Sequence, residues 1–291
     1  MRLFLYTLAL FAVLISLQSC KKVIDIDLPP ADSKVVVNSF FTDGSPIQLH
    51  LSKSIGILDD GFPECNDATV VLLVNNVKAD TLYPDDGFYY SHIIAERGKN
   101  YSLAVSVPDM DSVFCEDIIP ERTIIQNCVL TDSELTDDYG YNVKELKLDF
   151  QDSPGPGFYE VELAGKDING EKVFITFSRN SDPIITSTGL LDYSPRTLIF
   201  TDEMFDGKAC SVKIYFGSDW YCEYNLRIIL RSVSEAYYKY KEKQFAYLFS
   251  LDYDIISGMS EPVNLYSNIS GGYGIFAGYS YDEKTIIIPG K

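Results

Sequence analysis

The pattern that decides the fold begins at Lys34-Val35-Val36-Val37-Asn38-Ser39-Phe40-Phe41, a stretch rich in β-branched and aromatic residues. Asp43-Gly44-Ser45-Pro46 ends this stretch with turn-forming residues, and Ile47-Gln48-Leu49-His50-Leu51-Ser52 then alternates apolar with polar side chains. Alternation with a period of two is typical of a strand that buries one of its faces. The segment therefore predicts two consecutive strands and a mainly β protein.

Working outward from this segment, similar patterns predict four more strands before residue 121. They cover residues 68–74, 87–94, 100–107 and 112–119. Six short strands separated by turn residues predict an N-terminal β-sandwich over residues 35–120. The next segment, 121–141, is more polar and is interpreted as a linker.

A second β series follows the linker. Residues 146–150 and 158–163 alternate on either side of a Pro- and Gly-rich turn, which predicts a hairpin. Residues 210–215 and 221–230 flank Phe216-Gly217-Ser218-Asp219 and predict another hairpin. Further strands are expected at residues 172–177 and 197–200, with a long loop between them at 178–195.

One helix interrupts this second series. Ser232-Val233-Ser234-Glu235 fits a capping box, and the apolar positions that follow predict a helix near residues 233–250 that packs against a sheet. We therefore expect residues 142–291 to form a β-rich domain with one inserted α-helix. The complete prediction is two β-sandwich domains of the immunoglobulin-like or transthyretin-like kind.

Length and composition agree with two globular domains. The chain has 291 residues, of which 46% are hydrophobic, and domains of roughly 100–200 residues are usual. Its net charge is -18, because 42 acidic residues outnumber 24 basic ones. An acidic chain of this kind is not expected to bind nucleic acid or to be attracted to an anionic bilayer.

The N-terminus carries an export signal. An uncharged apolar stretch, residues 3–17, follows Arg2 and is too short for a transmembrane helix, which needs about 20 apolar residues. Leu17-Gln18-Ser19-Cys20 resembles the lipobox of bacterial lipoproteins, in which the cysteine receives a diacylglycerol and becomes the new N-terminus. We therefore predict a signal peptide at 1–19 and lipid attachment at Cys20. An ordinary signal peptide with a chance cysteine is the alternative.

Residues 20–34 are interpreted as the tether between the lipid and the folded body. Lys21 is not the aspartate that holds enterobacterial lipoproteins at the inner membrane, so the outer membrane is the expected location. Which face of that membrane the body occupies is left open. The predicted membrane contact is made by the lipid, not by the protein surface.

Lipid on Cys20 leaves five other cysteines, an odd number. Cys210 and Cys222 lie almost symmetrically about the turn of a predicted hairpin, a placement that suits a cross-strand disulfide. A second disulfide is expected within the set Cys65, Cys115 and Cys128. The alternative is that all five are buried free thiols.

The search for catalytic motifs is mostly negative. His50 and His92 are the two histidines, they belong to different predicted strands, and neither has the spacing of a metal site or a nucleophilic triad. Asp59-Asp60-Gly61 and Asp85-Asp86-Gly87 are interpreted as turns and not as calcium loops. We expect no cofactor, no metal and no catalytic residue. Two carboxylates placed by the fold, as in a glycosidase, would escape detection in the sequence.

The most distinctive stretch lies near the C-terminus. It combines Tyr266, Ser267 and Asn268 with a glycine-rich turn that contains Gly271, Gly274, Phe276 and Gly278. This stretch resembles domain-of-unknown-function family 4249, lipoproteins of the Bacteroidota. The resemblance also includes the lipobox, Ile26-Asp27-Leu28-Pro29, the strand Val35-Val36-Val37-Asn38, Ile119-Pro120 and the helix start at Ser234. We interpret it as a structural hairpin, with a ligand site as the alternative.

The resemblance implies an outer-membrane lipoprotein of unassigned activity, often encoded near TonB-dependent receptors. It also implies that Asp80-Thr81-Leu82 and Asp111-Ser112-Val113 match the O-glycosylation motif of these bacteria. The expected function is therefore non-enzymatic binding, as an accessory to a TonB-dependent receptor or its ligand. The alternatives are a glycan-acting hydrolase with paired carboxylates and a structural or adhesive envelope protein.

Overall fold

Most of the chain from Asp32 onward is described by the structure, which is a computed structural model. The described residues are 32–56, 59–61, 63–137, 140–166, 171–178, 182–186, 196–217, 225–252 and 263–287. The predicted signal peptide 1–19 and most of the tether 20–34, including Cys20, lie outside them. The described residues from Ser33 onward belong to one compact unit.

The N-terminal half contains all six predicted strands and one more. The strands are β1 (Val35–Thr42), β2 (Pro46–Lys53), β3 (Thr69–Val74), β4 (Val77–Asp85), β5 (Phe88–Ile94), β6 (Asn100–Ser106) and β7 (Val113–Ile118). β4 is missing from the prediction because Leu82 is its one buried side chain, so it shows no alternation. Two left-handed residues, Asn75 and Asn76, turn the chain from β3 into β4.

Eight strands and two helices are described in the rest of the chain. They are β8 (Ile125–Thr136), β9 (Asn142–Gln151), β10 (Phe158–Lys166), β11 (Lys172–Phe174), α1 (Pro183–Thr186), β12 (Thr197–Thr201), β13 (Ala209–Gly217), β14 (Asn225–Val233), α2 (Glu235–Asp252) and β15 (Tyr273–Ile287). The prediction of a mainly β protein is confirmed. Among these residues no helix has the length and apolar character needed to cross a membrane.

The strands form two sheets. Twelve strands belong to the larger sheet, in the order β11-β10-β14-β15-β1-β2-β5-β4-β3-β6-β7, with β12 paired to β10. The smaller sheet has the order β13-β9-β8 and covers the inner face of the C-terminal part of the larger one. One hydrophobic core fills the N-terminal sandwich, and a second lies between the two sheets.

The last strand joins the two halves of the larger sheet. β15 pairs in parallel with β1, with Gly274 opposite Val37, and antiparallel with β14. Phe276 of β15 is fully buried in the N-terminal core, where its ring stacks on that of Phe41 at 4.4 Å. The C-terminal stretch is therefore part of the sandwich built by the first half of the chain.

Glycines make this pairing sterically possible. A Cβ atom on Gly274 would lie 2.0 Å from the Val37 carbonyl oxygen, and one on Gly278 would lie 2.3 Å from that of Ile118. Gly274 also has a φ of +107°, a backbone conformation that side chains disfavour. Residues with side chains at these two positions would push β15 away from β1 and β7.

Both hairpins predicted for the second half are wrong. β9 and β10 are consecutive strands but belong to opposite sheets, and their side chains meet across the core, with the rings of Phe150 and Tyr159 5.2 Å apart. β13 pairs with β9, whereas β14 pairs with β10 and β15. Alternation in the sequence shows which face of a strand is buried. The same alternation occurs when the next strand pairs in the same sheet and when it packs from the opposite sheet across the core.

The segment interpreted as a linker, 121–141, contains the 12-residue strand β8. β8 lies at an edge of the smaller sheet and pairs with β9 alone, so most of its side chains are exposed. This explains its polar sequence, because one edge strand with a solvated face needs few apolar residues. The division into two domains stays a prediction.

The predicted helix is present as α2, but its cap differs from the prediction. Ser234, not Ser232, accepts a hydrogen bond from the backbone N–H of Tyr237 through its hydroxyl oxygen. The helix packs on the outer face of β1 and β15, where Tyr237 contacts the ring of Phe40 at 4.9 Å. Tyr237 also donates a hydrogen bond from its hydroxyl to Glu160 at 2.7 Å.

A buried ion-pair cluster lies beneath α2. Arg231 bridges two carboxylates, with Nη1 2.7 Å from Glu160 and Nη2 2.7 Å from Glu162. Lys172 lies 3.2 Å from Glu162, and Lys241 of the helix lies 3.8 Å from Glu160. Removing Arg231 would leave two carboxylates without their main partner, a change that costs several kcal/mol in buried pairs.

Asp117 connects β7, β15 and α2. One of its carboxylate oxygens accepts hydrogen bonds from the Gly278 N–H at 2.8 Å and from the Ser234 hydroxyl. Burial raises the pKa of Asp117 to about 6, and these hydrogen bonds only partly oppose that shift. The folded protein therefore binds a proton at this position more tightly than the unfolded chain does.

Replacing Gly274 by alanine should destabilise the protein strongly, since the new Cβ would meet the Val37 carbonyl oxygen. Gly155→Ala is the matched control, because Gly155 has a φ of +105° but open space within 4 Å of the position that a Cβ atom would take. We expect Gly274→Ala to lower the free energy of unfolding by at least about 2 kcal/mol more than Gly155→Ala, measured by urea denaturation. Equal losses would contradict the steric role of Gly274.

Asp117 should make stability fall as the pH rises. Between about pH 4 and 6 the unfolded chain loses the proton that folded Asp117 retains, so the stabilisation present at low pH is lost on passing through about pH 6. The contribution amounts to at most about 3 kcal/mol. Between pH 4 and 7 the free energy of unfolding of the wild type should therefore fall more than that of Asp117→Asn, by up to about 3 kcal/mol. Urea denaturation at each pH measures both. Asp111→Asn, at an exposed position, should retain the wild-type pH profile; an unchanged profile in Asp117→Asn would exclude Asp117 as the source.

Candidate binding surface

An exposed aromatic surface covers the outer side of three neighbouring strands of the N-terminal sandwich. We call it the aromatic face, and it consists of Gln48 and His50 of β2, Phe88, Tyr90 and His92 of β5, and Tyr83 of β4. β5 lies between β2 and β4 in the larger sheet. The alternate residues of β2 and β5, such as Leu49 and Tyr89, point into the core, which leaves this set on the solvent side.

The strand register places these side chains side by side. Tyr90 is opposite Gln48 on one neighbouring strand and opposite Tyr83 on the other, and Phe88 is opposite His50. Five rings therefore form a continuous series over these three strands, which starts on β2, follows β5, reaches β4 and returns to β5. Their successive centroid distances are 5.6 Å for His50–Phe88, 6.4 Å for Phe88–Tyr90, 6.0 Å for Tyr90–Tyr83 and 4.7 Å for Tyr83–His92.

Hydrogen bonds hold two members of the face in place. The Gln48 side-chain amide donates to the Tyr90 hydroxyl at 3.1 Å. Asp80 accepts from the His92 backbone N–H at 2.6 Å and lies 3.0 Å from Nδ1 of the same residue. Nδ1 thus acts as the donor, and the opposite ring nitrogen, Nε2, is left for other partners.

Asp80 remains charged near neutral pH. Burial by itself would raise the pKa of Asp80, but hydrogen bonds from the His92 N–H and imidazole and from the Thr81 N–H lower it below its usual range. On the other side of the face, Glu64 lies 3.9 Å from Nε2 of His50. Carboxylates are thus the charged groups that contact these rings within the described part of the chain.

The two histidines meet on one surface, which the sequence does not predict. The sequence places them in separate strands, and their common face follows from the pairing of β2 with β5. The alternation of Phe88, Tyr90 and His92 along β5 is a signal that could have indicated this face, because three large rings on the solvent side of a strand are unusual. Tyr83 carries no such signal, since the sequence pattern does not predict β4.

A cleft of about 360 Å³ lies between the end of β7, the 152–157 loop and the N-terminus of α2. Asp152 is the buried carboxylate in its wall, with Glu121 and Glu235 exposed at the rim. Both oxygens of Asp152 are engaged, one by the Tyr159 hydroxyl and the other by the Gly207 N–H at 2.7 Å. The described residues do not place two unengaged carboxylates face to face here, as a glycosidase would require.

Three aspartates that the sequence pattern does not single out come together beside this cleft. The carboxylates of Asp152, Asp202 and Asp206 approach within 4.8 Å of one another. Each accepts a backbone N–H across two crossing loops, as in the 2.7 Å bond from Gly157 to Asp202 and the 2.9 Å bond from Gly155 to Asp206. Burial, together with the neighbouring charges, raises the pKa of Asp202. The arrangement ties the loops of the second sandwich together.

The C-terminal motif has structural contacts throughout. The Asn268 side chain brackets Phe276, donating to its carbonyl oxygen at 2.7 Å and accepting from its N–H at 3.0 Å. The Ser267 hydroxyl accepts from the Ile269 N–H, and Tyr266 packs near Lys239 of α2. The described residues before Gly271 form an isolated bridge with Phe114 and not a second strand, so the predicted hairpin is replaced by a side-chain bracket.

The motif glycines serve close approach or turning. Gly271 has a φ of +84° and lies against the Ser112 carbonyl oxygen, while Gly274 and Gly278 lie against neighbouring backbone, as described above. The turns predicted at two aspartate pairs also fit the structure. Asp86 and Gly87 both have positive φ between β4 and β5, and Gly61 has a φ of +103°.

The predicted disulfides do not form among the described cysteines. Cys65, Cys115, Cys128 and Cys210 are free thiols, and Cys222 lies outside the described residues. The hairpin that suggested the pair of Cys210 with Cys222 is absent, because β13 and β14 belong to different sheets. Burial raises the pKa of the Cys115 and Cys210 thiols to about 12 and that of Cys128 to about 11, so these thiols are poorly reactive. This result fits the alternative of buried free thiols for these four residues.

Comparison with solved structures gives distant likenesses. The crystal structure of collagen adhesin (CNA) from S. aureus is 8% identical, with 87% of this chain and 95% of that chain covered, at a TM-score of 0.20. A structure of manganese lipoxygenase of Gaeumannomyces graminis with part of zonadhesin of Komagataella pastoris is 10% identical, with 72% and 90% covered, at a TM-score of 0.17. Neither value supports an argument about function.

Comparison with protein families gives a match over most of the chain. No curated protein matches the chain. The family described as "Domain of unknown function (DUF4249)" matches residues 21–285, which is nearly the whole chain after Cys20. The match confirms the resemblance based on the C-terminal motif and the helix start. The chain therefore belongs to the DUF4249 family.

Proposed function

We propose that this protein is a lipid-anchored protein of the outer membrane that binds a TonB-dependent receptor, or the ligand of that receptor, without catalysing a reaction. The observation that carries the binding role is the aromatic face. Its side chains are held by a rigid sheet and are large, and Tyr83 and Phe88 are 43% and 37% exposed. Contiguous exposed rings on a folded domain are typical of interaction surfaces.

The anchor is supported by the sequence. The apolar stretch 3–17 and the lipobox at Leu17-Gln18-Ser19-Cys20 support the proposal that Cys20 carries a lipid and starts the mature chain. Residues 21–34 then separate the lipid from β1, which begins at Val35. A short tether of this kind keeps the folded body close to the membrane while its own surface stays in water.

The role beside a receptor is supported by family membership. The family resemblance implies genes near TonB-dependent receptors, and the described part of the chain offers a binding surface in the aromatic face. A protein with these features would deliver a ligand to the receptor or stabilise it. The acidic excess of the chain also suits a binding role, because a strong net charge keeps a tethered protein soluble.

Lipid attachment should depend on one cysteine. Cells supplied with an alkyne fatty acid should label the wild type and Cys128→Ala, and should fail to label Cys20→Ala, since the thiol of Cys20 is the proposed acceptor. The measurement is in-gel fluorescence after click chemistry. Equal labelling of the wild type and Cys20→Ala would contradict the anchor.

Receptor association should survive gentle solubilisation of the membranes. Affinity purification of the tagged wild type, followed by mass spectrometry, should recover a TonB-dependent receptor that a second tagged lipoprotein from the same cells does not enrich. Recovery of the protein alone would argue against a receptor partner and would favour a structural or adhesive role in the envelope.

A further inference from the structure

The aromatic face has a surface chemistry that is neither purely apolar nor strongly charged. The rings of Phe88, Tyr90 and Tyr83 offer apolar area, while the Gln48 amide, the tyrosine hydroxyls and the His92 imidazole offer hydrogen-bonding groups between them. A ligand that fits this surface has apolar patches and hydroxyl groups in close alternation.

Charge narrows the choice of ligand further. The carboxylates of Asp80 and Glu64 contact the two histidines, and Asp85 lies opposite Phe88 in the neighbouring strand. The whole chain carries a net charge of -18. An anionic ligand such as a nucleic acid, a phosphorylated group or an acidic polysaccharide would be repelled.

The geometry suits an extended ligand better than a compact one. The face is an open surface over three strands and not a cavity, and its five rings follow one another at 4.7–6.4 Å. This spacing is comparable with the length of one pyranose unit in a polysaccharide chain. Because neighbouring rings are tilted by 33–61° to one another, different sugar units would contact different rings at different angles, so that several weak contacts add up.

The side chains are also ordered before any ligand arrives. β5 is hydrogen-bonded on both sides, to β2 and to β4, and Asp80 fixes the ring of His92. Gln48 restrains the hydroxyl end of Tyr90. Little side-chain entropy is lost on binding to such a surface, which favours weak ligands such as neutral sugars.

We propose that the aromatic face binds a neutral polysaccharide, with sugar rings stacked on Phe88, Tyr90 and Tyr83 and sugar hydroxyls hydrogen-bonded to Gln48 and to Nε2 of His92. The apolar C–H face of a pyranose ring packs on an aromatic ring, and its hydroxyl edges reach the polar groups between the rings. This inference rests on the proposed binding role and names the class of ligand.

The test is native gel electrophoresis of the detergent-solubilised full chain in gels that contain one polysaccharide each. The probes are a soluble β-1,4-glucan, a soluble α-1,4-glucan, an α-mannan and, as the anionic comparison, polygalacturonate. We expect retardation by at least one neutral probe and none by polygalacturonate. Tyr83→Ala and His92→Ala should each weaken the retarding interaction at least tenfold.

Tyr141→Ala is the matched control. Tyr141 is 59% exposed and directly precedes β9, a strand of the other sheet, so its removal should leave retardation unchanged. Thermal unfolding of each variant checks that the fold is intact, as expected for outward-facing side chains. Retardation by none of the neutral probes, or equal retardation of Tyr83→Ala, His92→Ala and the wild type, would overturn the proposal.

The outcome is distinguishable from failure of the receptor association. If the receptor is recovered from membranes by the wild type but not by Tyr83→Ala, and no neutral probe retards the protein, the face binds a protein partner and the polysaccharide proposal is wrong. If a neutral probe retards the protein through Tyr83 and no receptor is recovered, the ligand assignment holds and the receptor association fails.

Discussion

The parallel contact between β1 and β15 is the constraint on which the rest of the structure depends. It requires a backbone without a side chain at Gly274, because the Val37 carbonyl oxygen occupies the place of a Cβ atom. Since β15 also pairs with β14, this contact makes one continuous sheet out of strands from both ends of the chain. It places Phe276 in the N-terminal core and Ile275 and Ala277 under the helix α2. A substitution at Gly274 would therefore disturb the packing of both sandwiches.

The helix α2 adds a second connection on the outer side of this sheet. Its Ser234 cap shares the Asp117 carboxylate with Gly278, so the start of the helix, the end of β7 and the last strand meet at one acidic group. Further along, Tyr237 and Lys241 reach Glu160, which Arg231 neutralises. Buried charges of this type contribute little net stability, but they are costly when unpaired. They consequently fix where the helix lies and disfavour alternative positions.

The features that the sequence predicts are those that depend on interactions between residues close together along the chain. Strands with one buried face, such as β1 and β2, and the helix near Tyr237 are visible because their patterns are local. β4 shows no pattern because Leu82 alone is buried, and β8 resembles a linker because it is an exposed edge. The two predicted hairpins are wrong because alternation does not distinguish a neighbour in the sheet from a strand across the core. The C-terminal motif is distinctive in the sequence, yet the contact of Gly274 with Val37 joins positions far apart along the chain.

The aromatic face is only partly visible in the sequence for the same reason. The alternation along β5 indicates its rings, but His50 and Tyr83 reach those rings from two different strands. The exposure of the aromatic face nevertheless agrees with the acidic composition of the chain. A surface with several large rings promotes self-association, and a strong net charge opposes it. The acidic excess thus allows this protein to carry an apolar binding surface in water. The same charge that opposes self-association would also repel anionic ligands, and it leaves uncharged partners free to approach. The charge and the aromatic face therefore favour the same class of ligand, one that is neutral and rich in hydroxyl groups.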